Sequence, residues 1–171
     1  EIMFGPADKS VGSVVLFDEL LAPVCTIENK LRIERKPDPD ARLDGFPLLH
    51  LDFYRNDPAA VTWPEWIADH GYRTDPADRG IRFQRIGPAL EAVLSDAGFV
   101  ITGVALIREM IEAEEVALPF PEIPPKATTY SFSAKFRASS MSKPAVRAFR
   151  TWLEQEGKKT REWLAEFKSS R

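Results

Sequence analysis

The sequence predicts an α/β fold whose sheets contain parallel strands. Two apolar runs, residues 46–51 and 99–101, are short and bounded by loop-forming residues, as expected of buried strands. Between them, residues 88–97 carry apolar side chains on one face of a helix that Gly98 ends. Short strands that alternate with helices are typical of sheets with parallel strands and a helical cover.

The first half of the chain combines strand and helix signals. A turn at Gly5 and Pro6 ends the first strand, because Gly allows a positive φ and Pro fixes its own φ. Thr26 and Thr62 each suit the N-cap of a helix, and Trp63 and Trp66 share a face of the second helix. The predicted elements are strands at residues 1–4, 14–17 and 22–25, a helix at 27–31, a strand at 46–51, a helix at 63–70 and a strand at 80–84.

The second half ends in a strand and a final helix. Residues 128–136 alternate apolar and hydroxyl side chains, which predicts a half-buried strand. Ser142 can cap a helix from Pro144. The apolar face of this helix is predicted to carry Val146, Phe149, Trp152 and Leu153, and past Gly157 to continue with Trp163, Leu164 and Phe167. The predicted elements are a helix at residues 88–97, a strand at 99–101, a helix at 104–114, an extended segment at 116–120, a strand at 128–136 and the final helix.

Composition excludes several classes of function. The chain carries 23 Lys and Arg against 26 Asp and Glu, so it lacks the positive surplus that binding to DNA phosphates requires. The one cysteine, Cys25, cannot form an internal disulfide, which fits a reducing compartment such as the cytoplasm. The sequence holds no run of about 18 apolar residues and opens on no signal segment, so membrane insertion and export have no support.

Residues 16–26, LFDELLAPVCT, join an apolar strand to a Pro-led extended segment and a Thr suited to cap a helix. This combination indicates a crossover between two lobes. With four further segments in the same order, it resembles the effector-binding region of LysR-type transcriptional regulators, most closely the branch with the glycine cleavage activator and the β-lactamase inducers. The five segments are residues 16–26, residues 47–52, the Trp63/Trp66 pair, residues 78–83 and residues 144–153.

The resemblance implies a type 2 periplasmic-binding-protein-like fold, in which two α/β lobes are joined by two crossover strands. The crossovers are expected near Leu21 and near Phe120. Residues 1–21 and 119–171 would form a discontinuous lobe I, and residues 22–118 a continuous lobe II. The family's winged helix-turn-helix, and the first strand and helix of its sensor region, have no counterpart in the sequence. Lobe I is therefore expected to be incomplete and the chain to be truncated at its N-terminus.

The resemblance places the ligand site in the cleft between the lobes, where loops and helix N-termini offer donors. The Phe4-Gly5-Pro6 loop is expected to face this cleft, and Pro6 stands where carboxylate-binding relatives can carry an Arg. In lobe II, Gln84 and Thr102 end strands whose carboxyl edge usually presents ligand contacts. Thr26, just beyond the first crossover, completes the predicted site. Simpler roles stay open, because Gly5-Pro6 can be only a turn and Thr26 only a helix cap.

Other residues with chemical potential have simpler explanations. His50 and Asp52 lie on one face of a strand, but two ligands without further His or Cys do not make a zinc site. Cys25 would need a nearby base to act as a nucleophile, and a small buried hydrophobic residue is the simpler role. No catalytic residue, metal site or cofactor is therefore predicted.

The predicted function is effector sensing in a LysR-type regulator. A small molecule would bind in the cleft and shift the equilibrium between lobe arrangements, which would alter the DNA-binding geometry of a homo-oligomer. The expected partners are the effector, further copies of the chain through the 88–97 helix, and promoter DNA through the absent winged helix-turn-helix, with no membrane. Two alternatives are a periplasmic-type solute-binding protein of a transporter and a small hydrolase that uses Cys25 or the His50/Asp52 pair.

Overall fold

The computed structural model describes residues 1–8 and 10–170. Lys9 and Arg171, both within the predicted lobe I, lie outside the described residues. The strands are β1 (Ile2–Gly5), β2 (Ser13–Thr26), β3 (Leu48–Leu51), β4 (Arg82–Phe83), β5 (Phe99–Gly103), β6 (Val116–Ala117) and β7 (Lys126–Lys135). The helices are α1 (Ile27–Glu34), α2 (Trp63–His70), α3 (Ile86–Leu94), α4 (Arg108–Glu112) and α5 (Pro144–Ser169).

These strands hydrogen-bond in the order β1-β7-β2-β5-β3-β4, and β6 pairs with β2. The pairs β1/β7, β7/β2 and β2/β5 are antiparallel, whereas β5/β3 and β3/β4 are parallel. The parallel part confirms the predicted α/β class. Because β3, β4 and β5 point in the same direction, their carboxyl ends meet at one edge of the sheet.

β2 is a single strand of 14 residues, where the sequence analysis predicts two shorter strands. β2 stays continuous because one neighbouring strand follows the other along it and leaves no unpaired stretch between them. β7 pairs with it up to Leu21, and β5 pairs with it from Leu21 to Val24. The register between β2 and β7 shifts between Asp18 and Leu20, just before this change. The change falls where a first crossover is expected, and the division into two lobes stays a prediction.

The helix caps follow the sequence analysis closely. The hydroxyl of Thr26 accepts a hydrogen bond from the backbone N–H of Asn29, which caps α1. α2 begins after Thr62, whose backbone N–H and hydroxyl both donate to the Glu65 carboxylate at 2.8 and 2.7 Å. In both caps, hydrogen bonds join the Thr to a residue in the first turn of the helix. The predicted starts of these two helices are therefore confirmed.

Several predicted elements differ in extent, and the helix predicted at 88–97 is Ile86–Leu94. The strand at residues 80–84 shortens to β4, and the helix at 104–114 divides into a 3₁₀-helix, Ala105–Ile107, followed by α4. The N-cap of α5 is Lys143 rather than Ser142, and the Ser142 hydroxyl instead donates to the carbonyl of Ser139. Pro144 is still the first residue of the helix, as its fixed φ favours.

The buried faces of β7 and α5 differ from the prediction in part. Ser131 and Ser133 are as buried as their apolar neighbours, so this part of β7 is covered on both faces. On α5, Phe149 and Trp152 are about half exposed and stack on each other at 5.6 Å. The buried residues of α5 are Leu153, Gly157, Leu164 and Phe167, so the predicted apolar stripe is confirmed at Leu153, Leu164 and Phe167.

Gly157 is the point at which α5 comes close to β2. A Cβ at this glycine would lie 3.1 Å from the backbone of Leu16, so the absence of a side chain lets the helix approach β2 closely. The helix continues through this position without a break. None of the helices in the described part of the chain has the length and apolarity needed to cross a membrane.

Candidate functional site

A groove lies beside β2 at the point where that strand changes partners. Its empty volume is about 460 Å³, including the solvent at its mouth. Apolar side chains and backbone from β2, β3, α2 and β5 form most of its wall, and a few polar groups stand among them. The lining residues are Leu21, residues 49–52, Tyr54, Arg55, residues 60–63, Arg82 and Ile101.

Polar side chains gather where the parallel strands end. Asp52 directly follows β3, and its carboxylate accepts a hydrogen bond from the amide of Gln84 at 3.0 Å. The guanidinium of Arg82 lies 3.4 Å from the same carboxylate. Gln84 is exposed, and it borders the groove through Asp52 rather than lining it. Gln84 therefore lies at the carboxyl edge of the sheet, as predicted. The carboxylate of Asp52 and the guanidinium of Arg82 lie beside it.

Thr102 is fully buried near the end of β5, beside a second polar cluster. The hydroxyl of Tyr54 lies near the Thr102 side chain, the Glu19 carboxyl and the backbone of Gly103. Burial raises the pKa of Tyr54, and the nearby Glu19 raises it further. Since Tyr54 lines the groove, this cluster lies directly behind the groove wall.

The Phe4-Gly5-Pro6 loop reaches the same region through aromatic contacts. The ring of Phe4 packs edge-on against Tyr54, with centroids 5.1 Å apart, and also contacts Phe53 and Phe132. Gly5 has a normal negative φ, and a Cβ added to it would meet no atom within 4 Å. Phe4, Gln84 and Thr102 thus surround the groove, whereas none of them lines it directly.

Thr26 is separated from these residues. Ala22 is the residue of β2 opposite Thr102, so Thr26 lies four residues farther along, roughly 13 Å at the usual rise of a strand. Its hydroxyl contacts the carboxylate of Asp96 and caps α1, at the amino end of β5. The structure therefore does not bring Thr26 together with the other predicted site residues.

Asp57 is a buried carboxylate that the sequence analysis did not single out. It follows Tyr54 and accepts hydrogen bonds from the backbone N–H groups of Ala59, Thr129 and Tyr130, and from the Thr129 hydroxyl. Burial raises the pKa of Asp57, but the hydrogen bonds outweigh it and hold the pKa below its ordinary value. Asp57 thus ties the groove-lining segment to β7. The only sequence signal for it is its place in the Asn56-Asp57-Pro58 turn.

The residues considered for hydrolysis are not arranged for it. Cys25 is fully buried, and burial raises the pKa of its thiol to about 12, so the reactive thiolate is not formed at neutral pH. His50 is also buried, and its Nε2 lies 3.2 Å from the carbonyl of Arg79. Among the described residues, no group of three or more His, Cys, Asp or Glu side chains could hold a metal ion.

Comparison with known proteins identifies relatives of the chain. Residues 2–158 match the family described as the LysR substrate binding domain. A curated relative is the HTH-type transcriptional regulator TrpI of Pseudomonas aeruginosa, 30% identical over 115 residues. That alignment covers 67% of this chain and 37% of TrpI, so the chain spans little more than a third of the regulator.

Solved structures share the fold. The effector domain of the transcriptional regulator AmpR of Pseudomonas aeruginosa superposes with a TM-score of 0.66 at 23% identity, over 96% of this chain and 74% of that domain. The regulatory domain of CrgA, a LysR-type regulator from Neisseria meningitidis, gives a TM-score of 0.59 at 17% identity, over 91% of this chain and 74% of that domain. These likenesses confirm the predicted type 2 periplasmic-binding-protein-like fold.

Proposed function

The chain belongs to the LysR substrate-binding domain family, and from this membership we propose that it senses a small-molecule effector in the groove beside β2. The observation that carries the proposal is the placement of the groove. The groove lies where the pairing partner of β2 changes from β7 to β5. The carboxyl edge of the parallel strands borders it. Ligands of α/β proteins usually bind at such edges.

Two lobes with a closing cleft would convert binding into a signal. Residues 1–21 and 119–171 would form one lobe and residues 22–118 the other, so Phe4 and Asp57 would belong to opposite sides of the groove. An effector that contacts both sides would favour the closed arrangement by its difference in affinity for the two states. The free-energy difference would pass to the DNA-binding domains of a LysR-type regulator.

The partners of the regulator follow from the same proposal. Promoter DNA would bind a separate winged helix-turn-helix, since this chain carries a net charge of -3. Copies of the domain would pair through α3, whose Leu94 is 46% exposed. The regulator would work in the cytoplasm, in the branch with the glycine cleavage activator and the β-lactamase inducers.

Thermal-shift screening of the chain against amino acids, small aromatic acids and peptidoglycan fragments tests the proposal. A compound that binds only the folded state raises the melting temperature with concentration, by mass action. A concentration-dependent rise that disappears when groove residue Leu21 is replaced by Trp would support the site. No stabilisation by any effector class, in a protein that unfolds cooperatively, would contradict it.

Gln84→Ala should reduce the ligand-induced rise in melting temperature and leave the melting temperature of the free protein nearly unchanged. Gln84 is exposed and its contact with Asp52 is at the surface, so the variant should lose less than about 0.5 kcal/mol of stability. Gln155→Ala, an exposed glutamine on α5, is the matched control. An equal ligand response in the two variants would remove Gln84 from the site.

A further inference from the structure

The groove beside β2 carries a surplus of positive charge. Among the described residues that line it, Arg55 and Arg82 are basic and Asp52 is the single acid. Both oxygens of the Asp52 carboxylate already have partners. Oδ1 lies 3.4 Å from the Arg82 guanidinium, and Oδ2 accepts the amide of Gln84 at 3.0 Å. Because Asp52 offsets the charge of Arg82, the guanidinium of Arg55 is the surplus cation.

Arg55 has no acceptor within the described part of the chain. Its side chain forms no ion pair and no hydrogen bond there. Two nearby acids are bound to other groups, since Asp57 accepts from the backbone and hydroxyl of Thr129 and Glu65 accepts from Thr62. A guanidinium presents a planar fork of N–H donors that matches a carboxylate. Arg55 is therefore free to bind an anion.

The backbone of Arg55 is held at the rim of the groove. Its N–H donates to the carbonyl of Asp52 at 3.2 Å, where the 3₁₀-helix Asp52–Tyr54 ends. Tyr54 before it and Asp57 two residues after it are both 3% exposed, so the chain is anchored on either side. The Arg55 side chain itself is exposed. It can thus reach a ligand in the groove without breaking a contact of the fold.

The rest of the groove suits a compact apolar group. Its empty volume of about 460 Å³, including the solvent at its mouth, lies toward the lower end of the range of about 300–1,000 Å³ for small-molecule pockets. Apolar and aromatic side chains form most of the wall, among them Leu21, Leu49, Tyr54, Trp63 and Ile101. A ligand that fills this space and contacts the rim would be apolar in its body and anionic at one end.

We propose that the groove binds a small carboxylic acid with an aliphatic or aromatic body, and that Arg55 holds its carboxylate. Arg82 uses one N–H toward Asp52 and has further donors for the same carboxylate. The body of the ligand packs against Leu21 and Ile101. The inference rests on the proposed function in taking this groove as the effector site, and it adds the chemical class of the effector.

Nuclear magnetic resonance tests the preference for an anion. The probes are phenylacetate, 3-phenylpropionate and 4-methylpentanoate, each compared with its own neutral amide. The indole N–H of Trp63, which donates to the Leu49 carbonyl at 3.1 Å in the groove wall, is the reporter. At least one acid should shift this resonance to saturation and bind at least about tenfold more tightly than its amide, because charge-assisted hydrogen bonds are lost in the amide. Its affinity should fall as sodium chloride is added, since Arg55 is exposed to screening.

Arg55→Gln removes the charge and keeps a donor at the end of the side chain. This variant should bind the same acid at least about tenfold more weakly and lose the preference for the acid over its amide. Arg35→Gln is the matched control, because Arg35 is exposed at the end of α1 and is not among the groove residues. Equal binding of the acid by the two variants, equal binding of acid and amide, or no Trp63 shift with any of the three acids overturns the proposal.

The thermal-shift screen separates this inference from the proposed function. A neutral or cationic compound that stabilises the chain, and whose effect disappears in Leu21→Trp, would overturn the carboxylic acid and keep the groove as an effector site. A carboxylic acid that depends on Arg55 but binds Leu21→Trp unchanged would contradict both, since it would bind outside the groove. Binding that requires Leu21 and Arg55 together supports both.

Discussion

Gly98→Ala should lower the free energy of unfolding by about 3 kcal/mol, because both the backbone angle and the space at this position exclude a side chain. Gly98 has a φ of +148°, a region that L-residues rarely adopt. A Cβ would overlap the carbonyl of Pro47. That carbonyl cannot move away easily, since it accepts the Phe99 N–H at 3.1 Å as β5 begins to pair with β3. Urea unfolding followed by circular dichroism measures the loss.

Gly87→Ala is the matched control. Gly87 lies in the first turn of α3, has no positive φ, and a Cβ there would meet no atom within 4 Å. Alanine favours helix over glycine, so this variant should be unchanged or more stable by up to about 1 kcal/mol. Similar unfolding midpoints for the two variants would show that the turn before β5 tolerates a side chain.

Local signals in the sequence predicted a large part of the fold. The caps at Thr26 and Thr62 act through hydrogen bonds within three residues, so nearby sequence is enough to predict them. The apolar runs that became β3 and β5 are buried on both faces, as parallel strands between helices should be. The predicted carboxyl-edge residue Gln84 also lies at the expected edge, because strand direction follows from the alternation of strands and helices.

The features that the sequence analysis did not predict depend on contacts between residues that are far apart in the sequence. Glu19 and Asp57 are charged residues, which are normally exposed, and only partners far away in sequence allow their burial. The charged carboxylate of Asp57, for example, is stabilised by backbone N–H donors 72 and 73 residues away. Likewise, the apolar pattern of α5 does not reveal that Gly157 is the position at which the helix comes close to the backbone of Leu16.

Asp57→Asn should lower the free energy of unfolding by about 2 to 3 kcal/mol at pH 7, since charge-assisted hydrogen bonds to buried donors are lost. The amide of Asn would present its own N–H groups to the backbone N–H groups of Thr129 and Tyr130. The folded-state pKa of Asp57 is depressed, so its stabilisation is present above its ordinary pKa and is lost as the pH falls through the folded value. The difference in unfolding free energy between the unsubstituted protein and Asp57→Asn should therefore become smaller in strong acid.

Asp52→Asn separates this effect from a general loss of negative charge near the groove. Among the described residues, the Asp52 carboxylate bonds only to the side chains of Arg82 and Gln84 at the surface, so its replacement should cost less than about 1 kcal/mol. Equal losses in the two variants would contradict the special role of Asp57.

If Asp57 holds the groove segment to β7 as the hydrogen bonds indicate, Asp57→Asn should also increase hydrogen exchange in residues 55–60 at a constant pH. Because these bonds would span the two predicted lobes, their number limits how far the groove can open without breaking them.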